Sequence, residues 1–65
     1  MVFRWKVQRY CDGDGRTLFF AAFRGTRSRG WVTFRPDDVP TFEGEAATFE
    51  VSRAKGRWVI GPRLD

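Results

Sequence analysis

Short runs of aromatic and β-branched residues, separated by glycine-containing breaks, make up most of this 65-residue chain. No segment repeats apolar residues at helical spacing, whereas several runs alternate apolar and polar residues in the manner of β-strands. The clearest alternation begins the chain, where Phe3, Trp5 and Val7 are interleaved with charged or polar residues. We therefore expect an all-β protein whose aromatic side chains supply much of the core.

Five strands are predicted, at residues 2–10, 17–24, 31–35, 45–52 and 57–60. An Asp-Gly-Asp-Gly turn at 12–15 joins the first two strands, because Asp and Gly tolerate the backbone angles of tight hairpins. Residues 36–40 end the third strand with a short helical turn, and residues 54–56 make the last hairpin turn. Gly61 and Pro62 are expected to end the fifth strand.

Five short strands, with the longest connection between the third and fourth, are typical of a small closed barrel. The fold class that we predict is a five-stranded barrel of OB type, with an SH3-like barrel as the alternative. Closure would also remove the unpaired strand edges that favour aggregation.

The length of the chain predicts one domain, residues 1–65, with a small core. Seven Phe, three Trp and one Tyr provide the apolar area for it. One cysteine, Cys11, and the lack of histidine leave neither a disulfide framework nor a zinc site. Asp12 and Asp14 are interpreted as turn residues, because the other ligands of a calcium loop are missing. We expect no metal and no cofactor.

Catalytic residue patterns are not found in the sequence. No histidine is present to activate Cys11 as a nucleophile. The carboxylates at Asp37 and Asp38 occupy adjacent turn positions, which favours solvated caps over a general acid and base. The longest apolar run, residues 18–23, is too short to cross a membrane. We therefore expect a cytoplasmic binding protein that is not an enzyme.

The charge distribution favours an anionic partner. Residues 1–35 carry eight basic and two acidic side chains, residues 36–50 carry five acids and no base, and residues 51–65 carry four bases and one acid. Basic surfaces attract nucleic acids by releasing condensed counterions. A solvated face with ordinary charge scatter is the alternative interpretation.

The second predicted strand is apolar on both faces. Leu18, Phe20 and Ala22 lie on one face, and Phe19, Ala21 and Phe23 lie on the other. One barrel interior cannot hold both sets of side chains. The surplus rings are expected to lie under a loop, against another chain or on a binding surface.

The segment RGWVTFRPDD, residues 29–38, resembles the nucleic-acid-binding segment of cold-shock domains. Residues 43–56 are similar to the fourth strand and following turn of that family. The resemblance covers the second half of the chain and implies an OB-fold protein that binds single-stranded RNA or DNA, as an RNA chaperone or regulator. The sequence departs from the family at Thr33, which replaces an exposed aromatic residue. It also has no counterpart of the family's second binding motif and has an extra first strand.

Alternation on the third strand identifies the candidate binding residues. Trp31, Thr33 and Arg35 share one face, whereas Val32 and Phe34 share the other and are expected in the core. A tryptophan beside arginines can stack bases and hold phosphates. Trp5 and Trp58 alternate with apolar residues and are expected in the core. The complete predicted set for nucleic-acid binding is Trp31, Arg29, Arg35, Arg27, Thr33, Phe19, Phe23, Arg4 and Lys6.

Two other functions use the same residues. A protein-interaction module would bind a protein partner, or a second copy of the chain, through the aromatic surface and use the acidic segment 37–50 for orientation. A duplex-coating barrel would insert apolar side chains into the minor groove, but its composition would be richer in lysine. Single-stranded nucleic acid remains the partner that the sequence favours.

Overall fold

A computed structural model describes residues 2–25 and 30–65 of the chain. Its elements follow the predicted order and are β1 (Val2–Cys11), β2 (Thr17–Phe23), β3 (Val32–Phe34), a 3₁₀ helix (Pro36–Asp38), β4 (Ala46–Ala54) and β5 (Arg57–Arg63). The prediction of an all-β fold with five strands is confirmed. The short helical turn after the third strand is also present.

The strands form one antiparallel sheet in the order β3-β2-β1-β4-β5. The sheet curls into a half-barrel, which is consistent with a small OB- or SH3-like barrel. The complete closure expected from the sequence is not observed, because no backbone pairing between β3 and β5 is found in the described residues. Phe34 of β3 and Trp58 and Ile60 of β5 instead line a cavity of about 160 Å³ between the two edge strands.

The core lies on the inner, concave face of the sheet. Val7 is opposite Ala22 on one neighbouring strand and Ala47 on the other, so the alternating apolar residues of three strands meet there. Side chains that are directly opposite in an antiparallel pair share a face. The core cluster consists of Val7, Phe20, Ala22, Phe34, Val39, Phe42, Ala47, Phe49 and Val51.

The β1–β2 hairpin forms as predicted. One carboxylate oxygen of Asp12 accepts hydrogen bonds from the backbone N–H groups of Asp14 and Arg16, both at 2.9 Å. This side chain thus satisfies two donors within the turn. Gly15 adopts a φ of 81°, a conformation that favours glycine.

The predicted end of the fifth strand was wrong. β5 continues through Gly61 and Pro62 to Arg63. Because β5 is an edge strand, the missing N–H of Pro62 does not interrupt the sheet. A Cβ on Gly61 would lie 3.4 Å from the carbonyl oxygen of Glu50, so residue 61 runs close beside β4 at a bulge.

In the described part of the chain, no helix has the length and apolar character needed to cross a membrane.

Candidate functional site

Along β1, β2 and β3, the residues between the core positions point to the outer, convex face of the sheet. Their side chains are aromatic, polar or small. The strand register aligns Lys6 with Phe23 and Tyr10 with Phe19. Between these pairs, Ala21 lies opposite both Gln8 and Thr33. We call this surface the outer face and define it as Lys6, Gln8, Tyr10, Phe19, Ala21, Phe23 and Thr33.

Tyr10 and Phe19 form a parallel ring stack at one end of the outer face. Their ring centroids are 4.9 Å apart, and the planes differ by 11°. Both residues are half-buried, so each ring keeps some contact with solvent. Tyr10 was not among the residues predicted from the sequence, although its position continues the outward series of Arg4, Lys6 and Gln8.

The outer face is closely packed from its middle to the end opposite the Tyr10–Phe19 stack. Phe23 is 5% exposed, and Ala21 is fully buried. The ring of Phe23 therefore supports neighbouring side chains, and it presents much less surface to a ligand than Phe19 does. Thr33 is exposed on the adjoining edge strand, as the alternation in the sequence predicted.

Trp31 lies immediately before β3 and is 52% exposed. It borders a cavity of about 400 Å³ that is also lined by Trp5, Arg24, Gly30 and Val32. Since Trp5 belongs to the inner face, this cavity lies where the inner face reaches the rim of the half-barrel. The structure thus places the predicted stacking residue beside a cavity that the sequence did not reveal.

Two further aromatic contacts surround Trp5 at this end of the inner face. Its ring centroid lies 5.5 Å from that of Phe3 and 4.9 Å from that of Trp58. The guanidinium of Arg53 lies over Trp58 at 5.3 Å. We call the region formed by Phe3, Trp5, Trp31 and Trp58 the open end. Trp5 and Trp58 are half-buried and pack against the core, as expected.

The opposite end of the inner face is covered by Arg9 and the segment before β4. The Arg9 guanidinium lies 5.3 Å from the ring centroid of Phe20 and 4.9 Å from that of Phe42. It donates hydrogen bonds to the carbonyl oxygens of Phe42 at 2.6 Å and Gly44 at 3.1 Å, and to Thr17 Oγ1 at 3.2 Å. We call this region the sealed end. The cavity there measures about 140 Å³.

Exposed basic side chains lie beside both the outer face and the open end. Arg4 and Lys6 are exposed on β1, although Arg4 lies opposite Glu50 of β4 in the sheet. Arg24 is exposed at the rim of the open-end cavity. Arg4 and Lys6 were among the predicted phosphate-binding residues, whereas Arg24 was not.

The remaining predicted arginines differ in their positions. Arg35 is exposed, and its Nε lies 3.6 Å from a carboxylate oxygen of Asp38, within an exposed ion pair that contributes little stability. Arg27 and Arg29 lie outside the described residues. The structure therefore assigns neither of these two arginines to a face.

No group of three or more potential metal ligands occurs in residues 2–25 and 30–65. Cys11 is an exposed, free cysteine. The outer face and the open end are the candidate sites for binding.

Comparison with known proteins provides no relative for this chain: no family model matches it, and neither the curated proteins nor the solved structures give a significant match. Nothing in these comparisons confirms the resemblance to cold-shock domains. The function must be argued from the chemistry of the two candidate sites.

Proposed function

We propose that this protein binds single-stranded RNA or DNA across its outer face and around Trp31. The observation that carries the proposal is the exposed tryptophan beside Arg24 at the edge of a cavity. Exposed aromatic rings with nearby cations bind single strands by stacking bases and neutralising phosphates.

Two aromatic positions at opposite ends of the outer face support the proposal. The stack of Tyr10 and Phe19 lies four residues along β2 from Phe23, which corresponds to about 13 Å at the usual rise of a strand. Trp31 lies beyond Phe23 in the chain and beside the open-end cavity. A bound strand would therefore meet one aromatic position near each end of the face.

Charge provides the second support. Lys6 lies on the outer face, and Arg4 and Arg24 lie beside it. The described outward-facing residues of β1 to β3 include no carboxylate. Phosphate binding to these cations would release counterions, so the affinity should fall as salt concentration rises. The face selects single strands by base stacking and carries little sequence information.

Titration of intrinsic tryptophan fluorescence with short oligothymidylate and oligouridylate, at low and high salt, tests the proposal. We expect quenching by both ligands and weaker binding in high salt. Trp31→Ala should lower the affinity roughly tenfold, because base stacking contributes about 1–3 kcal/mol per base. Fluorescence anisotropy of a labelled oligonucleotide follows binding when Trp31 is absent.

Two pairs of variants provide matched controls. Leu18→Ala removes another exposed apolar side chain, at the start of β2, and should leave the affinity unchanged. The only two lysines form the second pair. Lys6→Gln should weaken binding and reduce the salt dependence, whereas Lys55→Gln, in the β4–β5 turn, should not. A folded wild-type protein that binds neither oligonucleotide at low salt would refute nucleic-acid binding and favour a protein partner.

A further inference from the structure

The open-end cavity differs from a flat stacking surface because three separate parts of the chain border it. Trp5 comes from the middle of β1, Trp31 and Val32 come from the start of β3, and Arg24 follows β2. Its volume, about 400 Å³, is almost three times that of the cavity at the sealed end. It lies in the lower part of the usual size range for small-molecule sites, about 300–1,000 Å³.

The residues around the cavity define the chemistry of a ligand. Two indole rings and a valine form apolar walls that suit a planar, aromatic group. Arg24 adds a positive charge at the rim, and the described lining residues include no acid. A planar aromatic ring that carries an anionic group has both required properties. A nucleotide is such a ligand, and the volume suits one nucleotide rather than a run of stacked bases.

The indole of Trp5 provides an additional polar group. Its Nε1–H is buried and has no hydrogen-bond acceptor in the described residues. Buried donors are normally paired, and Trp5 is one of the residues that line the cavity. A ring nitrogen or carbonyl oxygen of a base, together with a small rotation of the indole, would provide the acceptor.

The cavity and the outer face meet in the chain at the end of β2. Phe23 lies opposite Lys6 at the end of β2, and the next residue, Arg24, is at the cavity rim. We infer that the open end is a distinct pocket for a single nucleotide, with the base between Trp5 and Trp31 and the phosphate near Arg24. This inference rests on the proposed function, since the same strand would cross the outer face and place one base in the pocket.

Mononucleotides test the pocket separately from the outer face. Adenosine and uridine 5′-monophosphates would be titrated into the full chain, followed by ¹H–¹⁵N NMR, with ribose 5-phosphate as the ligand without a base. We expect the signals of Trp5, Arg24 and Val32 to shift with mononucleotides, whereas ribose 5-phosphate should leave Trp5 and Val32 unchanged and shift Arg24 at most weakly. The signals of Tyr10 and Phe19 should not respond to a ligand confined to the pocket.

A pair of valine substitutions tests the volume of the cavity. Val32→Phe should fill the pocket, abolish the mononucleotide shifts and lower oligonucleotide affinity roughly tenfold, without abolishing binding to the outer face. Val59→Phe adds the same ring to an exposed position on β5 and should change neither result. If Val32→Phe does not fold, Arg24→Gln and its control Arg57→Gln test the rim charge, and only Arg24→Gln should weaken mononucleotide binding.

The outcomes separate the two proposals. Oligonucleotide binding without any mononucleotide shift, and with full affinity in Val32→Phe or Arg24→Gln, would overturn the pocket and leave the outer-face proposal intact. Mononucleotide shifts without oligonucleotide binding would support the pocket and overturn the proposed function. Equal shifts with ribose 5-phosphate would show that the base is not recognised and would also overturn the pocket.

Discussion

The two ends of the inner face contain similar side chains but differ in how they are covered. Each end has packed aromatic rings with an arginine over one or more of them. At the sealed end, Phe42 is 7% exposed and Arg9 binds two backbone carbonyls. At the open end, Phe3 is half-buried, and Arg53 is exposed over Trp58. The same residue types are therefore part of the core at one end and partly accessible to solvent at the other.

The covering segment explains this difference. Residues 39–44 place Val39 and Phe42 in the core and direct the carbonyls of Phe42 and Gly44 toward Arg9. A partly buried guanidinium is stable there because the carbonyls and a hydroxyl accept its hydrogen bonds. No equivalent bonds to Arg53 are found in the described residues. Aromatic content alone does not distinguish a core from a binding site, because the backbone that covers the rings decides between them.

The largest expected effect comes from removing one ring at each end. Phe42→Ala should lower the free energy of unfolding by about 3–5 kcal/mol, because it leaves a cavity among buried rings. Phe3→Ala should cost about half as much, since the ring is only partly buried. Urea denaturation followed by circular dichroism measures both losses. If Phe42→Ala prevents folding, Phe42→Leu provides the milder comparison with Phe3→Leu. Equal losses at the two ends would contradict the distinction between them.

An intermediate effect is expected from the two arginines. Arg9→Met should destabilise the protein by about 2–3 kcal/mol, because it leaves the carbonyls of Phe42 and Gly44 without their charged donor. Arg53→Met should cost less than about 1 kcal/mol, which is the usual contribution of an exposed cation–π contact. Thermal and urea unfolding of both variants would compare them. A loss for Arg53→Met as large as that for Arg9→Met would show that the open end is also held by its arginine.

The smallest effect concerns Asp65. This residue follows β5, and its carboxylate accepts a hydrogen bond from the backbone of Thr48 in β4. A hydrogen bond from the backbone N–H of Thr48, and then one from the Arg63 side chain, lower the pKa of the Asp65 carboxyl below its usual value. A lowered folded-state pKa stabilises the protein above the unfolded-state pKa, and that contribution is lost as pH falls through the folded-state pKa.

Asp65→Asn should therefore lower stability slightly at neutral pH, and its difference from the wild type should disappear in acid. Urea unfolding at a series of pH values measures the difference, and NMR titration of the Asp65 carboxyl measures its pKa directly. A difference that persists unchanged into acid would show that the carboxylate charge does not hold this segment. The pH-dependent part of the free energy of unfolding would then be assigned to Asp65. The contribution of Arg9 to the sealed end could be measured separately from it.

The alternation in β1 also assigns Arg9 and Tyr10 to faces of the sheet, although neither residue was predicted to have a role. Phe3, Trp5 and Val7 point inward as predicted, and the same series continues to Arg9, whereas Tyr10 continues the outward series. Both residues proved central, Arg9 to the sealed end and Tyr10 to the outer face. An arginine in an apolar series is easily interpreted as a surface residue, because its acceptors lie 33 and 35 residues away.

The inward and outward directions of the side chains on the third strand were predicted correctly. The contacts of this strand with distant residues were not predicted. Phe34 is buried and Thr33 is exposed, as the two-residue period required. The cavity beside Trp31 was not predicted, since Trp5, Arg24 and Val32 approach one another only when three strands curl together. The two-residue period predicts which side of the sheet a residue faces. It does not predict how closely residues from different strands approach one another.

The sequence by itself determined the five strands, the hairpin turns and the inward or outward direction of most side chains, because these follow from local backbone preference and a period of two. Only the tertiary structure decided which end of the inner face is covered. That outcome depends on where residues 39–44, which have no regular period, cross the rim of the half-barrel and present their carbonyls to Arg9. Long-range contacts of irregular segments leave no local pattern in a sequence, and here they separate a sealed core from an open cavity.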